Sequence, residues 1–384
     1  MFDREKNKVI IFMYENVMHY PPVLNAIECM LNNLIKVNLV AEGTDELPEI
    51  ITGSSLFAAF PIDLEYDSNI VKRISNRINR KNFCIKKLND LYQSGDIVWT
   101  VNPLIVRTMG KSLLCHSDHH VMQLMEMFDE MELFDGAKIL KFNIHKYGQS
   151  ASKVVVPEQN RAYIMKTVWG LKNTPYVLPN KPYYFDPGEM TDEVKSAIQE
   201  MQNEKRKIVL YLGVIDPDRD FESFANAIDE VGDEFCLYLI GKCVSEDKMK
   251  DFCKEHNSVK YLGFFNPPSH LHFLRYAHIG LLPYKPGAVG KGDTLQEINA
   301  LYCAPNKIYE YAGSNLPMLG TDVLGLKVPF EKYNIGMCCK SLDKDSIISA
   351  LRYIDIHHDE MMKGCKNFYE EIDLDELIMQ IIKD

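Results

Sequence analysis

The residues with the clearest chemical potential lie in one run, Cys303-Ala-Pro-Asn-Lys-Ile-Tyr-Glu-Tyr-Ala-Gly-Ser-Asn-Leu-Pro-Met-Leu-Gly-Thr-Asp322. Pro305 suits the first turn of a helix, because its missing N–H would have no partner there in any case. The N-terminus of such a helix presents N–H groups and the positive end of a dipole, both favourable to a phosphate or pyrophosphate. Lys307 adds a full positive charge at that end. Glu310, one turn further in, is placed to accept two hydrogen bonds from a vicinal diol such as a ribose. The same residues also admit a plain structural reading, in which Asn306 caps the helix and Glu310 is solvated. A second cluster, Cys115-His116-Ser-Asp118-His119-His120, combines imidazoles with a carboxylate. Adjacent His119 and His120 would diverge on a helix, which argues against a metal site. Ser117 or Asp118 is also placed to cap a helix over Val121–Glu132.

The remaining sequence excludes several chemistries. Tyr14 to Pro22, after the first apolar run, contains no glycine, so a dinucleotide-binding turn is missing. The segment Gly287-Ala-Val-Gly-Lys-Gly-Asp-Thr294 resembles a P-loop, but Lys285 stands where the leading glycine belongs, and the run comes late in its domain. The ten cysteines show no framework spacing and the adjacent Cys338–Cys339 forms no CxxC clip, so they read as cytoplasmic thiols. No metal ligand set and no cofactor is expected. The N-terminal apolar run Val9–Met13 is too short for a signal peptide or a spanning helix, and no later stretch reaches the length of one.

The elements that must position these residues alternate short apolar runs with amphipathic stretches, the pattern of βαβ units and parallel sheets. In the first half Lys8–Met13, Lys36–Ala41, Asp96–Val101, Ser112–Cys115, Ser152–Val156 and Tyr176–Pro179 read as strands, with a helix over Pro22–Asn33. The Pro- and Tyr-rich stretch NKPYYFDPGEM reads as a linker and places a boundary near Gly188. The second half restarts with strands Lys207–Leu212 and Phe235–Ile240, the latter ending at Gly241, then Val259–Leu262, His278–Leu282 and Pro317–Gly320. Helices are expected over Phe221–Val231 and His270–Ala277, from Pro305, and in the acidic tail from about His357. The fold class is therefore α/β, with two Rossmann-like domains whose parallel sheets bind ligands outside their carboxyl ends and face a central cleft.

The run PNKIYEYAGSNLPMLGTD resembles the PNK-x-x-E-Y…G-x-P-x-x-x-x-D segment of GT-B glycosyltransferases, especially glycosyltransferase family 4 (group 1). YLGVIDPDRDFESFANAI resembles that family's opening donor-domain strand, loop and helix. VKYLGFFNPPSHLHFLRYAHIGLLPY resembles the run before its donor loop, and KVVVPEQNRAYIMKTVWGLKNTPYVLPNKP the end of its acceptor domain. The similarity spans about two thirds of the chain, in order. It implies an acceptor-side domain over 1–188, a donor domain over 189–365 and a helical tail over 366–384 that packs back on the first domain. It implies transfer of a sugar from a nucleotide-diphosphate sugar to a saccharide or lipid-linked glycan, with retention and without metal. By position, Glu310 would bind the ribose, and Asn306, Lys307 and Arg219 would surround the diphosphate. Arg219 stands six residues after Gly213, where the family carries a lysine; Gly213 and Gly241 end the flanking strands. His116 or Asp118 would face the donor sugar or an acceptor hydroxyl. The family's arginine after the first donor-domain glycine is Val214 here, its first glutamate of the E-x7-E pair is Tyr302, and its first glycine-rich loop is YENVMHYPPV. Two other readings are a GT-B sugar-nucleotide epimerase and an inactive GT-B binding or scaffold subunit, the latter favoured by Tyr302 and Val214.

Charge adds a surface. The chain carries 43 Lys and Arg against 54 Asp and Glu, a formal net charge of −11 that disfavours nucleic acid. Ile70–Lys87 nevertheless holds seven Lys and Arg with no acid, and Val71, Ile74, Ile78 and Ile85 recur there at helical spacing. Such a helix either rests on a core with its basic face in water or lies on an anionic membrane. The protein is expected in the cytoplasm, with peripheral contact at the inner membrane face through this helix.

Overall fold

Val9–Met13 and Phe235–Ile240 are near-continuous apolar runs, the composition of strands covered on both faces, and both lie inside all-parallel sheets. The computed structural model describes residues 2–62, 70–129, 131–134, 139–216, 219–285 and 294–383. It divides into two units, Met1–Tyr183 with Asp293–Gln296 and Asp373–Asp384, and Tyr184–Gly292 with Glu297–Ile372.

The first unit contains β1 (Lys8–Asn16), β2 (Lys36–Glu42), β3 (Phe57–Pro61), β4 (Ile97–Val101), β5 (His120–Gln123), β6 (Met131–Glu132), β7 (Lys141–Phe142), β8 (Lys153–Val156) and β9 (Tyr176–Val177). Seven of these form a parallel sheet in the order β3-β2-β1-β4-β5-β8-β9, while β6 and β7 pair as a small antiparallel hairpin. The last helix, Leu374–Lys383, packs on the helix Pro21–Asn32 of this unit. Asp375 anchors it by accepting hydrogen bonds from Asn33 Nδ2 at 2.6 Å and the Tyr183 hydroxyl at 2.9 Å.

The second unit contains β10 (Lys207–Leu212), β11 (Phe235–Ile240), β12 (Val259–Gly263), β13 (Ile279–Leu282), β14 (Met318–Thr321) and β15 (Gly336–Cys339), in the order β12-β11-β10-β13-β14-β15. In both sheets the order reverses beside the first strand, which is the doubly wound arrangement. Alternation along β10 divides its apolar side chains between two cores. Leu210 and Leu212 join Tyr238, Ile240 and Met318 on one face, and Val209 and Tyr211 join Leu237, Leu239 and Leu281 on the other.

Three expectations are corrected. Ser112–Cys115 is not a strand: Lys111–Leu114 is a short helix. Val121–Glu132 is not a helix, because His120–Gln123 is the buried strand β5, followed by irregular chain. A short apolar run without clear period fits either state, and pairing with β4 and β8 decides it. Ser117 and Asp118 therefore cap no helix there; they form a 3-10 turn leading into β5. Pro305 is the residue before the helix Asn306–Gly313 rather than inside it, so Asn306 is the first helical residue and not its cap. Among the described residues no cysteine is in a disulfide, and no helix is long and apolar enough to cross a membrane.

Tyr311 ties the helix Asn306–Gly313 to the second sheet. Its fully buried hydroxyl accepts from the Leu212 N–H at 3.1 Å and lies 3.3 Å from the Leu210 carbonyl. Tyr311→Phe should leave that buried N–H without this partner and cost about 1–3 kcal/mol in urea unfolding, with the fold retained.

Candidate functional site

Because every strand of the second sheet runs the same way, the residues following β10, β11 and β13 share its carboxyl edge. Gly213 follows β10 with φ +132°, and Gly241 follows β11 with φ +150°, conformations that side chains rarely adopt. A Cβ on Gly241 would collide with the Gly213 carbonyl, and a Cβ on Gly213 would collide with Cε and Nζ of Lys307. The two glycines thus permit the strands to close on each other and admit the Lys307 ammonium against bare backbone. Its Nζ also lies 5.4 Å from the Tyr211 ring centroid. Asn306 and Lys307 form the first turn of their helix, where N–H groups have no partner within the helix. Arg219 reaches the same edge: its backbone bridges to Tyr284, just past β13, and its guanidinium stacks 4.2 Å from that ring's centroid. Val214, in contrast, is half exposed, and its carbonyl accepts from the Tyr211 hydroxyl at 2.6 Å.

Glu310 lies one turn beyond Lys307, its side chain only 17% exposed. Its Oε2 is 3.7 Å from His270 Nε2, on the 3-10 helix Ser269–Tyr276. Burial raises its pKa, but His270 and Lys307 outweigh burial and hold the carboxyl below its ordinary value. An ionised Glu310 therefore adds stability above the ordinary carboxylate range, lost as pH falls through the depressed folded value. His270 escaped the sequence reading. Its signal was present in SHLHF, but the proximity arises only where two helices meet.

His116 and Asp118 are not brought to the carboxyl edge of the first sheet. They precede β5 and so lie at its amino edge, where doubly wound sheets do not hold their ligands. The His116 ring packs 4.3 Å from Tyr92, and burial followed by the His119 charge pushes its pKa down. Asp118 lines a cavity of about 300 Å³ with Gln149, Lys153 and Lys172. His120 is a core histidine bonded to Thr100 at 2.8 Å, its pKa pushed down to about 3 by burial and by His116.

The carboxyl edge of the first sheet instead carries Glu15, at the end of β1, and Asn102, directly after β4. Burial pushes the Glu15 carboxyl up, against the opposing pull of Asn102 and Arg80. Asn102 is held at φ 66° and ψ 162°, an unusual conformation for a side-chain-bearing residue. Its N–H donates to the Gln123 carbonyl at 2.9 Å, and its Oδ1 accepts from Met125 N at 3.2 Å. Arg80 is buried, pairs with Glu42, and stacks 3.8 Å from the Tyr14 ring centroid. The glycine-free run YENVMHYPPV was the available signal for Glu15. Residues 286–293, which contain most of the P-loop-like segment, lie outside the described residues. Among the described residues no three His, Cys, Asp or Glu side chains gather to hold a metal ion.

No protein-family model matches the sequence, and no curated protein matches it. Solved structures do. A glycosyltransferase from Rickettsia africae is 12% identical, with 98% of each chain covered and a TM-score of 0.69. HepE from Anabaena, solved with UDP-glucose, is 11% identical over 97% of this chain and 98% of its own, with a TM-score of 0.67. Trehalose-6-phosphate synthase OtsA is 10% identical over 98% of both, with a TM-score of 0.69. The chain has the GT-B fold. At these identities the likeness establishes the architecture alone.

His270 is the partner that chiefly keeps Glu310 ionised. In His270→Phe the largest interaction lowering its pKa is gone while burial remains, so its carboxyl should titrate at higher pH. Carbon-detected NMR of the glutamate carboxyls should show that upward shift; an unchanged titration would mean that His270 does not hold the charge.

Proposed function

We propose that this chain is a glycosyltransferase resembling family 4, moving a sugar from a nucleotide-diphosphate sugar to a saccharide or lipid-linked glycan. The observation that carries the reading is the seat formed by Gly213, Gly241 and Lys307 at the reversal point of the second sheet. A diphosphate there would meet the Lys307 ammonium and the first-turn N–H groups of a helix, with Arg219 on the same edge. Glu310, kept ionised, would accept both ribose hydroxyls. Fixed cations of this kind stabilise a departing nucleoside diphosphate as charge develops, so the transfer is proposed to need no metal; retention is proposed on the resemblance to family 4 alone. Glycosyltransferase neighbours, one solved with UDP-glucose, support the same donor class.

On the acceptor side, Glu15 replaces His116 and Asp118 as the proposed group that engages a hydroxyl, because it lies at the carboxyl edge and burial raises its pKa. A second reading, an inactive binding subunit, keeps the nucleotide seat but loses turnover; Val214, in place of a cation, favours it.

Thermal shift across ADP, GDP, UDP and TDP, followed by calorimetry on the best binder, tests the seat. Glu310→Ala should weaken that nucleotide at least about tenfold, the loss of charged hydrogen bonds to the ribose. Gly213→Ala should weaken it comparably by displacing the Lys307 ammonium. Unchanged affinity in both variants would remove the assignment. Donor hydrolysis without acceptor would separate a transferase from the inactive reading.

A further inference from the structure

The helix Ile70–Leu91 turns an unexpected face to its own domain. Arg80, Cys84 and Leu88, spaced four residues apart, are buried, whereas Ile74 and Ile78 stand 57% and 53% exposed on another side. The isoleucines that could have formed a core stripe therefore point away from the core. They are not alone. The hairpin β6–β7 reaches this helix: Arg77 Nη2 donates to the Leu133 carbonyl at 2.9 Å, and its guanidinium lies 5.1 Å from the Phe134 ring centroid. Next to that anchor the hairpin exposes Phe134 at 51%, Ile139 at 94% and Leu140 at 50%. Two apolar segments distant in sequence thus converge around one arginine, with Lys72, Lys81 and Lys86 exposed along the helix.

From this juxtaposition we propose that Ile74, Ile78, Phe134, Ile139 and Leu140 form an insertion surface for an anionic lipid bilayer, independent of the nucleotide seat. Single exposed apolar residues are ordinary, but a contiguous group rimmed by cations is the composition of an interfacial membrane site. The overall charge of −11 would oppose approach to an anionic surface, yet screening confines each charge to about 8 Å at physiological salt. Within that range Lys72, Lys81 and Lys86 stand exposed on the helix, with no acid in the sequence between Ile70 and Lys87, and supply the local attraction. The same charge disfavours a second copy as occupant, since a two-fold interface would set this helix against itself.

The full chain should sediment with vesicles of phosphatidylglycerol in phosphatidylcholine at low salt, and remain in solution with pure phosphatidylcholine or at high salt. Ile78→Ser with Leu140→Ser should lower the partition coefficient about tenfold, because apolar insertion is lost. Lys81→Glu with Lys86→Glu should lower it further at low salt. All four positions are exposed, and circular dichroism checks that each variant stays folded. No sedimentation of the full chain at low salt would overturn the proposal, as would a double serine variant that binds undiminished. A dimer in analytical ultracentrifugation that Ile78→Ser dissolves, without vesicle binding, would assign the face to a second copy instead.

Discussion

The second domain depends on a close approach that only glycine allows. Gly241 meets the Gly213 carbonyl where a Cβ would stand, and Gly213 leaves room for the Lys307 ammonium. Both residues hold positive φ, so a side chain at either would be strained as well as crowded. This contact joins the ends of β10 and β11 to the start of the helix Asn306–Gly313, while Tyr311, one turn further along the same face, fastens that helix to β10. A cation is thereby held at the point where the strand order reverses, and Glu310 follows one turn later. The chemistry arises from backbone geometry that fixes where a charge can sit.

The first domain shows how one topology carries a different electrostatic character. Its reversal point also lies beside its first strand, but no glycine follows β1, and the edge presents Glu15 and the strained Asn102. One cation at this edge, Arg80, is committed to Glu42, the Tyr14 ring and the Tyr14 carbonyl at 2.7 Å. An edge with a partly buried carboxyl suits hydroxyl groups better than phosphates.

Much of this was legible in the sequence. Lys207–Leu212 and Phe235–Ile240 are the strands that their apolar runs describe, because a parallel strand covered on both faces needs such a run. Lys307 and Glu310 are legible in the helix start after Pro305, and Gly213 in the resemblance of YLGVIDPDRD; the structure brings the glycine and the lysine into contact. The failures share a cause. The run VMQLM was read as helix because only its neighbours β4 and β8 make it a strand. A strand over Ser112–Cys115 would put His116 and Asp118 after a strand, but that segment is a short helix and they precede β5, so they lie on the opposite edge. Arg80 was counted in a solvated basic face, although its pairing with Glu42 buries it. His270 and Asn102 matter through a helix crossing and a backbone torsion, neither of which a local pattern encodes.

A crystal structure of the chain with the nucleoside diphosphate that binds best tests the central claim most directly. The account predicts the diphosphate on the Lys307 ammonium and the first turn of Asn306–Gly313, with both ribose hydroxyls on Glu310. A nucleotide lodged elsewhere, with Lys307 still packed on Gly213 and Glu310 still facing His270 alone, would contradict it.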